Sequence, residues 1–113
     1  MADRMRRVNE AVREVVSARL LEGLRDPRIG FVTVTSVDTS PDLRHARVYV
    51  SVLGSDEQRT ETMAGLESAH GVLQQAVAHE LRMKNTPQLQ FVYDDTPERG
   101  MRITEILDQE DPS

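Results

Sequence analysis

The basic side chains are the residues whose type and spacing indicate a chemical function. Thirteen of the fourteen cationic residues are arginines, and the guanidinium group forks onto phosphate oxygens. Clustered arginines and lysines contact phosphate backbones without reading base sequence. Four groups occur along the chain: Arg4, Arg6, Arg7 and Arg13; Arg25 and Arg28; Arg44 and Arg47; and Arg82 with Lys84. We therefore expect at least one of these groups to bind the phosphates of an RNA.

Charge is unevenly distributed along the chain. The formal net charge is −5, which by itself disfavours a nucleic-acid partner. Seven arginines and four acidic residues lie between positions 4 and 28, whereas seven acidic residues and two arginines lie between positions 94 and 113. A basic surface and an acidic tail can therefore coexist. For any single arginine the alternative is a solvated side chain or a local ion pair, for example with Glu10.

Groups that would support catalysis or metal binding are scarce. The chain has no cysteine, which excludes disulfides, thiolate nucleophiles and cysteine-based zinc sites. His45, His70 and His79 lack ligand spacing, and no P-loop, GxSxG or HExxH motif occurs. Asp94 and Asp95 fit a strand end before a helix N-terminus better than a catalytic acid pair. We expect no enzymatic activity, no cofactor, no metal and no small-molecule substrate.

An N-terminal helix and a β-hairpin must position most of the arginines. Apolar residues recur at three- and four-residue spacing over 3–24, and the first arginine group falls off this stripe. The connector 26–30 follows, because the residue before Pro27 leaves the helical region. Strands are predicted over 31–37 and 46–52, with a loop of turn-forming residues between them. The alternation in the second strand indicates a hairpin with one buried face.

A long helical stretch is predicted over 57–83, although Gly65 and Gly71 interrupt it. Glycine within a helix costs up to about 1 kcal/mol relative to alanine. Gly71 therefore predicts a kink or a close approach between backbones.

The end of the sequence completes the predicted fold. A third strand is expected over 89–93, and a short final helix begins near Thr96, with Ile103, Ile106 and Leu107 as its packing face. The element order is α-β-β-α-(kink)-α-β-α. Three strands with helices on one face make a two-layer α+β domain. We expect a single domain over 1–107 and a frayed acidic tail over 108–113.

Location and assembly follow from what the sequence lacks. No apolar run resembles a signal peptide or a transmembrane span. Together with the absence of cysteine, this predicts a cytoplasmic protein without a membrane partner. No spare apolar helix face is evident, so we expect a monomer.

Several short motifs occur in one order along the chain. The most specific are Asp-Pro-Arg-Ile-Gly over 26–30 and Asp-Leu-Arg-His-Ala-Arg-Val-Tyr-Val over 42–50. Arg7-Val8, Ala69-His70-Gly71, and the stretch 87–91 followed by Asp94 accompany them. In this set, which spans about residues 4–107, the chain resembles the ribosome-binding factor A family of bacterial small-subunit assembly factors.

The resemblance implies a KH-like fold of type II, in which a helix precedes the sheet. Ordinary KH domains clamp nucleic acid with a GxxG loop, which this sequence lacks. The family instead has a kink, here at Ala69 and Gly71, whose small residues would let two helix segments pack closely. Gln74 departs from the family, which often has a basic residue there.

The resemblance also implies the partners, which are the free or immature 30S subunit and the 5′ region of its 16S rRNA. Tyr49 is the only aromatic candidate for base stacking in the hairpin and is expected to cover the sheet or a helix edge. Recognition should therefore depend on folded RNA shape and phosphate geometry. Two alternatives remain open: a KH-like RNA-binding protein not dedicated to the ribosome, and a small protein-interaction or ligand-sensing domain.

Overall fold

The computed structural model describes residues 2–24 and 26–96. The elements are, in chain order, α1 (Ala2–Glu22), β1 (Val32–Thr39), β2 (His45–Val52), α2 (Asp56–Ser68), α3 (His70–Leu81) and β3 (Gln88–Tyr93). This order confirms the prediction through the third strand, including the helix that precedes the sheet. The predicted final helix, the acidic tail and Arg25 lie outside the described residues.

The three strands form one sheet in the order β1-β2-β3. β1 and β2 are antiparallel, whereas β2 and β3 are parallel, with Ala46 opposite Leu89 and Val50 opposite Tyr93. Parallel neighbours need a crossover connection, and α2 and α3 supply it. Helices cover one face of the sheet, which confirms the two-layer α+β class.

The core is mostly aliphatic and lies between α1, α3 and the covered face of the sheet. Strict alternation places the side chains of one face of β2 in the interior, where a stripe of α1 meets them. Burying a valine side chain contributes about 1.5–3 kcal/mol, so these two stripes dominate the stability. The buried residues are Val8, Val12, Val16, Val34, Ala46, Val48, Val50, Val52, Leu66, Leu73, Ala76, Val77, Leu89 and Phe91.

The helix interruption falls at Ala69, between α2 and α3. A Cβ added to Gly71 would meet no atom within 4 Å, so the predicted close packing at Gly71 is wrong. The close approach is at Gly65 instead, where a Cβ would lie 2.6 Å from Cγ1 of Ile29. Sequence spacing could not show this contact, because Ile29 and Gly65 are brought together only by the packing of the connector on α2.

Element ends differ from the predictions by at most two residues, with local reasons. α1 ends at Glu22, because Gly23 turns the backbone into the left-handed region with φ +87°. α3 ends at Leu81, and Arg82 follows in the same region with φ +50°. β1 begins at Val32, not at Phe31, which leaves the Phe31 ring 80% exposed.

The pairing of β1 with β2 is irregular at one point, and a β1 side chain there contacts the residue after β3. The register of β1 against β2 shifts between Val34 and Ser36. The hydroxyl of Thr35 donates to Asp94 Oδ2 at 2.7 Å, just beyond β3. The side chain of a β1 residue thus reaches the end of β3 across β2.

Candidate nucleic-acid interface

An open polar cleft of about 750 Å³ lies at the hairpin end of the sheet. It brings together members of three of the four predicted basic groups: Arg4, Arg44 and Lys84. The lining is Arg4, Asp42, Leu43, Arg44, His45, Met83, Lys84, Asn85, Thr86 and Gln88. We call this surface the basic cleft.

The turn between β1 and β2 is held by hydrogen bonds within itself. Asp42 Oδ1 accepts from the Ser40 hydroxyl at 2.6 Å and from the Arg44 N–H at 3.0 Å. The Ser40 bond, with the Arg44 N–H as the second cause, lowers the pKa of the Asp42 carboxyl. Leu43 takes a left-handed conformation with φ +60°, which is costly for a side chain with a Cβ. The turn therefore presents Arg44 from an ordered backbone.

The first helix is fastened to the same end of the sheet. Asn9 of α1 accepts a hydrogen bond from the backbone N–H of Thr39 at 2.9 Å, and also one from the Thr39 hydroxyl. Thr39 is buried, so this contact is shielded from water and worth more than a surface bond. It brings the first turns of α1, with Arg4, to the hairpin.

The loop that carries Lys84 is fastened by Gln74. The Gln74 side chain donates to Pro87 O at 2.8 Å and accepts from the Leu89 N–H at 2.9 Å. Gln88 N–H then donates to Arg44 O at 2.7 Å, which joins this loop to the hairpin turn. Gln74, where the family often has a basic residue, therefore has a structural role in this chain.

The chemistry of the basic cleft suits an oxyanion. Two arginines, one lysine and one histidine face a single carboxylate, Asp42, one of whose oxygens already accepts two hydrogen bonds. Asn85, Thr86 and Gln88 add neutral donors, which are common partners of phosphate and ribose oxygens. These donor types match those that contact phosphate backbones in nucleic-acid complexes.

The remaining predicted arginines lie elsewhere. Arg6, Arg7 and Arg13 are exposed on α1 but do not line the cleft. Arg47 is exposed on β2, on the sheet face opposite the buried valines, and Arg82 is exposed after α3. These five arginines are surface cations outside the cleft lining.

Arg28 is engaged within the protein. Its guanidinium contacts Asp26 Oδ2 at 2.6 Å and donates to the Ser68 hydroxyl at 2.9 Å. The side-chain hydrogen bond from Arg28 lowers the pKa of Asp26 to about 2. The same bond raises the pKa of Arg28 above its ordinary value. Of the predicted candidates, this one has the clearest structural use: it fastens the connector to α2.

Two further titratable residues considered from the sequence, His70 and Asp94, are engaged in structure. His70 Nε2 lies 2.8 Å from Leu89 O, and its ring meets Phe91 edge to face. Asp94 accepts from the Thr35 hydroxyl and from the Thr96 N–H at 2.9 Å.

Within residues 2–24 and 26–96, no three histidine or acidic side chains gather as a metal site. Nor does any helix of that part have the length and apolar character to cross a bilayer.

Sequence reasoning misses several residues of the basic cleft. From the sequence, His45 is weighed only as a metal ligand, and Asn85, Thr86 and Gln88 are loop and strand residues. His45 could have been identified as a cleft residue, because it is adjacent to Arg44 in the sequence. Asn85, Thr86 and Gln88 could not, because only the geometry of the loop brings them to the cleft.

Comparisons with known proteins agree on one family. The family model described as ribosome-binding factor A matches residues 4–107. Ribosome-binding factor A of Geobacter metallireducens is 48% identical over 107 residues, which cover 95% of this chain and 91% of that protein. Ribosome-binding factor A of Anaeromyxobacter dehalogenans strain 2CP-C is 52% identical over 106 residues, covering 93% and 77%.

Solved structures show the same likeness. The crystal structure of ribosome-binding factor A from Thermus thermophilus has a TM-score of 0.67 at 26% identity, covering 79% of this chain and 94% of that one. A homology model of Thermus thermophilus ribosome binding factor A, fitted into the cryo-EM map of a 30S complex, has a TM-score of 0.60 at 27% identity and covers 74% of this chain and 88% of that one.

Proposed function

Because this chain belongs to the ribosome-binding factor A family, we propose that it is an assembly factor of the small ribosomal subunit. It binds free or immature 30S subunits and helps to fold or process the 5′ region of 16S rRNA. A relative in this family has been fitted into the map of a 30S complex, which supports the choice of partner.

The observation that carries the proposal is the convergence of Arg4, Arg44 and Lys84 in the basic cleft. These residues come from α1, the hairpin turn and the loop before β3, so one backbone segment could contact all three elements at once. Phosphate contacts fix position and orientation without base readout. The cleft would therefore replace the GxxG clamp that this sequence lacks.

Binding alone is sufficient for this activity. A factor that prefers one rRNA conformation shifts the folding equilibrium by its difference in affinity for the two conformations. No catalytic step is needed, so the protein acts as a binding protein and not as an enzyme. Its place of action is the cytoplasm, where subunits are assembled.

The proposal is tested by co-sedimentation with free 30S subunits, with 70S ribosomes and with an unrelated RNA, at low and high salt. The expected result is binding to 30S subunits that weakens with salt, with little binding to the other two. Equal binding to every RNA would favour a general KH-like RNA-binding protein. A salt-insensitive protein partner without RNA binding would favour an interaction domain. Either outcome would contradict the proposal.

Charge reversal in the basic cleft adds a matched comparison. Arg44→Glu should weaken 30S binding about tenfold or more, because a hydrogen bond to a charged group contributes about 1.5 kcal/mol or more. Arg19→Glu changes the charge equally on a different surface, where Arg19 pairs with Glu22, and should bind like the parent protein. Equal loss in both variants would indicate an effect of net charge and would remove the cleft from the proposal.

A further inference from the structure

One face of the sheet is open, because the helices of the described part of the chain cover the other. The alternation that buries one side of β2 and β3 turns the other side outward, where the residues are exposed or half-buried. The strand register aligns these outward residues in rows across the three strands. We call two of these rows the open face, which consists of Asp38, Arg47 and Gln90 in one row and Ser36, Tyr49 and Val92 in the next.

The open face continues directly from the basic cleft. His45 and Gln88 line the cleft and are register partners at the start of β2 and β3. Arg47 and Gln90 lie two residues further along the same strands, on the same side of the sheet. At about 3.3 Å per residue, Tyr49 lies about 13 Å from His45 along β2. A nucleic-acid strand seated in the cleft can therefore continue onto this face.

Tyr49 is the aromatic residue of the open face. It lies in the central strand, where pairing with β1 and β3 fixes its backbone, and its carbonyl oxygen also accepts from the Thr35 hydroxyl at 3.2 Å. The other tyrosine, Tyr93, pairs with the buried Val50, and the guanidinium of Arg59 lies 4.3 Å from the centre of its ring. The sheet therefore holds the half-buried Tyr49 ring on its outward side, whereas the Tyr93 ring is engaged with α2.

The chemistry of the open face suits a single RNA strand. Aromatic rings presented by a sheet stack on unpaired bases, and every base has a π-face that permits this. Arg47, next to Tyr49 on this face, supplies a cation for the adjoining phosphate. Asp38 lies opposite Arg47 and offsets its charge, so the strand must also be held by the basic cleft. Val92 is the one wholly apolar side chain of the six, which leaves little area for a hydrophobic protein contact.

We propose that the open face binds an unpaired segment of the RNA whose phosphates occupy the basic cleft, and that Tyr49 stacks on one of its bases. The choice of RNA as the partner rests on the proposed function. The cations of the cleft contact phosphates of paired and unpaired RNA alike, whereas the Tyr49 ring reaches a base only where the base is unpaired. Tyr49 thus gives the protein a preference for single-stranded over duplex RNA.

Tyrosine fluorescence tests the stacking directly, because the chain contains two tyrosines and no tryptophan. Tyr93→Phe leaves Tyr49 as the single emitter and keeps an aromatic ring beside Arg59. This variant of the full chain is titrated with a mixed-sequence RNA oligonucleotide, and separately with the duplex that the same oligonucleotide forms with its complement. The single strand should quench the Tyr49 emission, because a base stacked on the ring quenches it. The duplex should cause little quenching.

Co-sedimentation with free 30S subunits separates the effect of the ring from the effect of side-chain bulk. Tyr49→Phe keeps the ring and should bind like the parent protein. Tyr49→Leu keeps a large apolar side chain without a π-face and should bind about fivefold more weakly or worse. Circular dichroism of each variant checks that the fold is present. If Tyr49→Leu does not fold, the fluorescence titration still decides, because it leaves Tyr49 in place.

Three outcomes would overturn the inference. The single strand and the duplex could quench Tyr49 equally or not at all, or Tyr49→Leu could bind 30S subunits as well as Tyr49→Phe does. A weaker Tyr49→Leu variant without quenching by the single strand would assign the open face to a protein of the subunit. Failure of the proposed function gives a different result: the single strand quenches Tyr49, but the parent protein has no preference for 30S subunits. That result would support the open face as an RNA surface and contradict the assembly role.

Discussion

At the scale of single residues, Asp26 and Arg28 show how a candidate ligand can be a structural group. Arginine spacing favours Arg28 as a phosphate contact, but its fork faces Asp26 and Ser68. Such a pair on the surface contributes little through charge alone. The role of this pair is to fix the conformation of the connector that leads from α1 into β1.

The Asp26 carboxyl provides a pH-dependent prediction. Its folded pKa is about 2, below the ordinary 3.8, because Arg28 donates hydrogen bonds to the ionised form. The contribution to stability is therefore complete above about pH 4 and is lost as the pH falls toward 2. Urea midpoints measured from pH 7 to pH 2 should differ between the parent and Asp26→Asn at neutral pH and converge at the acidic end. Arg28→Gln should behave like Asp26→Asn, and a pH-independent difference would contradict this account.

At the scale of elements, the connector 26–30 packs on α2 through Gly65 and Thr62. Gly65 is buried under Ile29, and Thr62 on the same helix accepts from Gly30 N–H and donates to Arg28 O. The absence of a side chain at Gly65 lets the connector lie against the helix. Gly71, by contrast, faces open space.

These two glycines predict opposite effects of alanine. Gly65→Ala should lower the free energy of unfolding by about 1–3 kcal/mol, because the new Cβ would overlap Ile29. Gly71→Ala should raise it by up to about 1 kcal/mol through helix propensity. Both are measured by urea unfolding. A stable Gly65→Ala variant would show that the connector can shift without cost.

At the scale of the whole molecule, binding to RNA depends on how positive and negative charges are distributed over the protein. The net charge of −5 repels a polyanion, so binding must depend on the local field of the basic cleft. The hydrogen bonds of Asn9, Asp42 and Gln74 hold the three elements of the cleft together. Salt should therefore weaken binding in proportion to the number of phosphates contacted.

This relation gives a measurable slope. Each phosphate contact contributes about 0.7 to 0.9 to the slope of log affinity against log salt concentration. Arg44→Gln should reduce the magnitude of the slope for 30S subunits by about that amount, whereas Arg19→Gln should leave it unchanged. Filter binding over a range of salt concentrations measures both. An unaltered slope in Arg44→Gln would mean that Arg44 touches no phosphate.

Local patterns in the sequence were sufficient for the elements and for the buried face of each. The valine alternation of β2 and the apolar stripe of α1 depend on residue spacing within one element, so periodicity identified both before any tertiary contact was considered. Pro27 and Pro87 lie in the predicted connectors, although the helices before them already end at Glu22 and Leu81. The motifs at 26–30 and 42–50 then identified the family.

Only the tertiary structure decided which side chains meet. Arg4, Arg44 and Lys84 are separated by up to 80 positions, and they converge because β3 pairs in parallel with β2 while Asn9 draws α1 to the hairpin. The same long-range packing moved the close glycine contact from Gly71 to Gly65 and engaged Arg28 with Asp26. Such contacts depend on how the layers are stacked, and residue spacing within an element carries no information about that.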